Sequence, residues 1–186
     1  MTTPLASIAR VQSMFDEWRI LGSRRLRSGT ELIGPVDGIE NPDWLHIIYR
    51  GLTVAEVTAM EGKMACRMPR DLRSFYRRTS GLSLWNGTFE VHGFHPDDDG
   101  GRRNARYPAD VFVLDREIDE LGWKPRHTFA IAENHRQQSV ILVSTRRDTP
   151  LVSRCDRRTG RVIGTYTSFW QCLANTLAEG AQPALA

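Results

Sequence analysis

The segment 92–101, HGFHPDDDGG, holds the densest set of side chains able to do chemistry. His92 and His95 offer imidazole nitrogens, and Asp97, Asp98 and Asp99 offer carboxylate oxygens, the ligand types of a hydrolytic metal site. The spacing argues against one. Consecutive aspartates point in diverging directions, and the string lacks the alternating ligands of a calcium loop. A solvated acidic loop with no metal and no cofactor is the expectation. Nucleophilic chemistry fares no better. No serine sits in a G-x-S-x-G elbow. Cys66, Cys155 and Cys172 are odd in number, far apart and in no metal-like pattern, which reads as buried thiols in a reducing cytoplasm. The carboxylates Asp115, Glu117, Asp119 and Glu120 fall along one short acidic segment and read as a charged helix face rather than an acid–base pair. His127 and His135 flank a strand and its loop, where a lone histidine is more often structural or solvent-exposed. The chain is expected not to be an enzyme.

Charge points to a different class of function. The net charge is +3 and almost all the positive charge is arginine, since Lys63 and Lys124 are the only lysines. Arg24, Arg25 and Arg27 form one basic cluster, and Arg146, Arg147, Arg157, Arg158 and Arg161 a second. Aromatic residues are not interleaved among them, and no helix combines base-reading side chains with phosphate contacts. Direct nucleic-acid binding is therefore not expected. No apolar run reaches the ~20 residues of a membrane span, and residues 1–10 lack a signal-peptide pattern, so no membrane association and a cytoplasmic location are expected.

The elements that must position these groups follow from caps and periodicity. Leu5, Ile8, Val11, Phe15 and Trp18 recur at helical spacing after Thr3-Pro4. Residues 23–51 are rich in turn formers and read as an irregular extension or insertion. Thr53 and Glu56 form a capping box, with Leu52 and Val57 as the hydrophobic staple. Pro69, Asp71, Arg77, Arg78 and Gly81 define a third helix: proline at its first position, acid early, base late, and a left-handed glycine closing it. Asn86-Gly87 is a two-residue hairpin turn pairing Leu84 with Phe89 and Leu82 with Val91. That alternation sends Trp85 to the opposite face, with Ser83, Thr88 and Glu90. Residues 111–114 read as a strand, and 115–122 as a short helix capped by Asp115. Strands follow at 128–132, 139–143, 151–155 and 162–166; Val140 to Val143 are apolar on both faces and hence central. A last helix starts at Ser168. The expectation is α+β: a single mostly antiparallel sheet with helices packed on one face, forming one domain over 1–180 with a flexible tail at 181–186.

With no catalytic constellation, surface becomes the subject. Trp85, Asp97, Asp98, Asp99, Glu117, Asp119 and Glu120 combine an aromatic anchor with a charged rim, the ingredients of a protein interface. A cover over Trp85 from the N-terminal segment is the open alternative.

Residues 52–94, LTVAEVTAMEGKMACRMPRDLRSFYRRTSGLSLWNGTFEVHGF, resemble the SUKH superfamily, the Smi/Knr-type domain. Pro69, Asp71, Leu72, Phe75, Tyr76, Thr79 and Gly81 match its motif, while Met68 replaces the usual leucine and Ser80 the usual asparagine. The late strands and TSFWQCLANTL resemble the family's closing region, whereas residues 29–51 have no counterpart that aligns. The resemblance implies an α+β fold that binds proteins. Bacterial members resemble immunity proteins of polymorphic toxin systems used in interbacterial competition. The implied function is binding and neutralising a cognate secreted toxin, a nuclease being one class, by steric blockade. A regulatory or scaffolding interaction domain is the alternative, followed by a metal-dependent hydrolase using His92, His95 and Asp97. No catalytic residue transfers from the motif. One feature sits awkwardly: a partner for a basic nuclease is ordinarily acidic, and this chain is slightly basic.

Overall fold

The computed structural model describes residues 4–36, 43–94, 107–146 and 152–180. Among them nine strands form one antiparallel meander in chain order. The strands are β1 (Ser23–Arg25), β2 (Glu31–Val36), β3 (Asp43–Ile48), β4 (Leu82–Leu84), β5 (Phe89–Val91), β6 (Thr128–Asn134), β7 (Ser139–Ser144), β8 (Val152–Asp156) and β9 (Val162–Tyr166). The helices are α1 (Pro4–Arg19), α2 (Val54–Met64), α3 (Arg70–Arg78), α4 (Val111–Glu120) and α5 (Phe169–Gly180). The fold is α+β, as expected.

Local rules account for much of this. Thr53 Oγ1 accepts the Glu56 backbone N–H at 3.2 Å while the Glu56 carboxylate accepts the Thr53 N–H at 2.7 Å, completing the capping box of α2. Leu52 and Val57 are both buried beside it, as a staple requires. The β4–β5 hairpin has the expected register, Leu82 opposite Val91 and Leu84 opposite Phe89, around Asn86 (φ 53°) and Gly87 (φ 80°). Ser168 Oγ caps α5 by accepting the Gln171 N–H.

Four local expectations are corrected. Residues 111–114 are the first turn of α4, not a strand, and the cap is Asp110, whose carboxylate accepts the Phe112 N–H at 2.8 Å. The β-branched run hides a helical stripe, Val111, Leu114 and Ile118, all buried. Asp115 lies inside the helix and accepts the Ala130 N–H of β6 instead. Pro69 is the cap of α3 and Arg70 its first helical residue. Gly81 does not close α3 in a left-handed conformation; Thr79 ends that helix in extended backbone. Glycine stands at 81 because a Cβ there would meet the Val91 carbonyl oxygen at 2.5 Å and the Pro108 ring at 2.7 Å.

The segment 23–51 is also more regular than its turn-rich composition implied. Residues 23–25, 31–36 and 43–48 are strands, and β3 pairs with β4 through His46–Leu84 and Ile48–Leu82. The extension thus lengthens the sheet. Gly34 and Pro35 within β2 hid the strand pattern.

Burial divides into two cores. Residues of α1, α2, α3 and α5 pack with Leu82, Leu84, Phe89, Ile131, Ile141 and Val143 in the larger one. Alternate residues of the same strands, Ala130, Val140 and Leu142, meet Leu114 and Ile118 of α4 and Cys155 in the smaller one. Four helices therefore share one face and α4 covers the other. This is why Val140 to Val143 are apolar throughout: each face of β7 has its own roof.

Candidate partner-binding site

Apart from Asp115, which turns to the sheet, the acidic residues of α4 point away from its buried stripe. Glu117, Asp119 and Glu120 are exposed. Two of them already have partners: Glu117 lies 3.1 Å from Arg157, and Asp119 lies 3.3 Å from Lys124, whose ammonium also sits 2.9 Å from Asp115. Glu120 makes no ion pair among the described residues. Asp97, Asp98 and Asp99 lie outside the described residues, as does His95. The structure therefore brings Glu117, Asp119 and Glu120 together on one helix.

Trp85 is not with them. Its backbone is left-handed (φ 50°), which breaks the strand alternation and turns the ring toward the face occupied by the four helices. There it is half-buried, 5.8 Å from the ring of Trp18, 6.1 Å from His46 and 6.5 Å from Phe89. The N-terminal helix is the cover, as the alternative reading held. Trp18 and His46 stack at 3.9 Å and 3°. The Trp85 backbone N–H points at His46 Nδ1 across 3.4 Å, and burial pulls the His46 pKa down to about 4, so this imidazole is neutral near pH 7.

Under α4 the sheet carries a polar row that sequence reading missed. Ser83, Glu90 and Glu133 stand in register on neighbouring strands. His92 Nε2 is 2.9 Å from Glu133 Oε1, its Nδ1 is 3.4 Å from the Asp110 carbonyl, and Arg157 binds Glu133 Oε2. Burial pushes the Glu133 pKa up, but the His92 hydrogen bond and the charges of His92, Arg157 and His135 outweigh it, so the group ionises below its usual range. One signal for this row was available: a lone glutamate inside the apolar strand sequence TFAIAEN. Glu90, Glu133 and His135 present ligand atoms within 4.8 Å of one another, a spacing that a divalent cation can span. Both Glu133 oxygens, however, are engaged by His92 and Arg157, so a guanidinium already occupies the place of a cation. The His92 of the metal-hydrolase reading is buried and committed to Glu133.

On the four-helix side, α1, β2, β3 and the ends of α3 and α5 enclose a groove of about 590 Å³. Arg19, Arg25, Arg50 and Arg78 line it against two carboxylates, Asp16 and Glu31. Its residues are dispersed between positions 11 and 170, and no sequence window shows them together.

Fold and surfaces define a one-sheet α+β domain whose charged groups are arranged as ion pairs and rims around two apolar cores. The model of the SMI1 / KNR4 family (SUKH-1) matches residues 51–175, and the chain belongs to that family. Domains of this family are known for toxin-immunity roles and are typically non-catalytic. No curated protein matches the chain. The match begins just before α2, so α1 and β1 to β3 lie outside it. Among the described residues no helix is long and apolar enough to cross a membrane.

Proposed function

We propose that this protein is a bacterial immunity protein that binds a cognate secreted toxin and blocks it sterically, in the cytoplasm of the cell that makes both. Family membership over two thirds of the chain is the observation that carries the reading. The architecture suits the role: a continuous nine-strand sheet with helices on both faces offers a preformed surface, which loses little conformational entropy on docking. The docking patch in this reading is the exposed side of α4, with Glu117, Asp119 and Glu120, together with Asp97, Asp98 and Asp99 of the preceding sequence. A negative patch of this kind complements a basic enzyme such as a nuclease and speeds capture, even on a chain that is slightly basic overall. Trp85, covered by α1, supports the hairpin instead of anchoring the partner.

The test is co-expression with the toxin-like product of the adjacent reading frame. Rescue of growth and a stable complex at nanomolar concentrations are expected. The triple variant Glu117→Lys, Asp119→Lys, Glu120→Lys should weaken the complex at least tenfold and reduce its salt dependence. Toxicity undiminished by this protein, with pull-downs returning only housekeeping proteins, would instead support a regulatory interaction domain.

A further inference from the structure

A second surface, on the other side of the sheet from α4, has its own chemistry. The groove between α1 and β2–β3 is walled by Arg19, Arg25, Arg50 and Arg78. Their engagement is unequal. Arg50 is held by Glu56, and Arg19 by Asp16 and Glu31. Arg25 reaches Glu31 only at 3.8 Å and is largely exposed. Arg78 is exposed and makes no ion pair among the described residues. Two guanidiniums with spare donors thus face one concavity. Trp170 lines the same groove, is 4% exposed, and its indole N–H has no acceptor among the described residues. The Trp170 ring thus forms part of the groove floor, and its indole signal reports on what occupies the groove.

We propose that this groove binds an acidic peptide segment of a partner protein, with carboxylates on Arg25 and Arg78. The site is independent of the α4 patch. A peptide suits it better than a nucleic acid for two reasons. Asp16 and Glu31 in the wall repel a continuous polyanion but tolerate discrete carboxylates placed on the arginines. Of the rings lining it, Tyr49, Phe75 and Trp170 are at most 4% exposed and Phe15 is a single half-buried ring, so successive bases find no platform to stack on. A volume of about 590 Å³ holds a few side chains, the scale of a short segment.

The experiment follows the five indole N–H signals of the ¹⁵N-labelled full chain, that of Trp170 being assigned with Trp170→Phe. The probe is the peptide acetyl-DEFDE-amide, with acetyl-QNFQN-amide and acetyl-KRFKR-amide as comparisons. A saturable shift of the Trp170 signal with the acidic peptide alone is expected, weakened at least tenfold in Arg25→Glu/Arg78→Glu. If that double variant fails to fold, at least tenfold weaker binding of the neutral peptide to the unmodified chain carries the same support. The proposal is overturned by no shift at millimolar peptide, by an equal shift with the neutral or basic peptide, or by tighter binding of inorganic phosphate or hexathymidylate. Concentration-dependent movement of the same signal without peptide would overturn it in favour of a second copy of this chain. None of these results bears on whether the adjacent toxin is neutralised.

Discussion

Arg157 ties three parts of the molecule: its side chain binds Glu133 on the sheet and Glu117 on α4, and its backbone carbonyl accepts the indole N–H of Trp123. Arg157→Ala removes the compensation of a carboxylate that stands directly across from Glu90 on the next strand. A buried charge losing its partner is costly, so a loss of about 2–4 kcal/mol in urea unfolding is expected. Glu133→Gln combined with Arg157→Ala should recover part of that loss. The sign with pH follows from the lowered Glu133 value. Its contribution is complete above the ordinary carboxylate pKa of about 4.5 and is lost as pH falls through the depressed folded value. His46 acts higher on the scale. It is neutral when folded and takes up a proton more readily when unfolded, so stability falls as pH drops from about 6.5 toward about 4. His46→Gln should flatten the melting temperature against pH in that window, and an unchanged slope would place the titration elsewhere.

At the scale of elements, α4 tests whether the second core matters as much as the first. Ile118 is fully buried against the sheet, and Ile118→Ala should cost about 2–4 kcal/mol, measured by chemical denaturation. A cost below about 1 kcal/mol would mean that α4 is only loosely docked. The helix α3 is knit into the fold at both ends. Asp71 in its first turn accepts the backbone N–H of Phe169 at the start of α5, and Tyr76 donates to the His92 carbonyl at 2.9 Å. The motif that marks the family in sequence therefore joins α3 to α5 and to the strand end at His92. Gly93→Ala should be poorly tolerated for a related reason, because a Cβ there would run into the Ser80 carbonyl and the Pro108 ring. Loss of soluble protein, or a drop of about 3 kcal/mol, is expected.

For the whole molecule, the question is how the family core depends on what precedes it. Val11 and Trp18 of α1 pack into the main core, and β3 supplies the hydrogen-bonding neighbour of β4. A fragment comprising residues 51–180 should therefore expose Trp85 and the edge of β4, bind a hydrophobic dye and self-associate. A monomeric, cooperatively melting fragment would show that α1 and β1 to β3 are accessory.

The sequence by itself determined the parts governed by neighbours along the chain. The Thr53–Glu56 box, the Asn86-Gly87 register, the Ser168 cap, the α+β class and the family motif are all short-range patterns with a local physical cause. Tertiary structure alone decided the rest. It made residues 111–114 helical because a helix offers their stripe a place against β6. It reversed Trp85 through one left-handed backbone angle, and it assigned Gly81 to a close approach instead of a turn. The charged row around Glu133 and the arginine groove were invisible for the same reason: both are assembled from side chains that only the packing of distant strands and helices brings together.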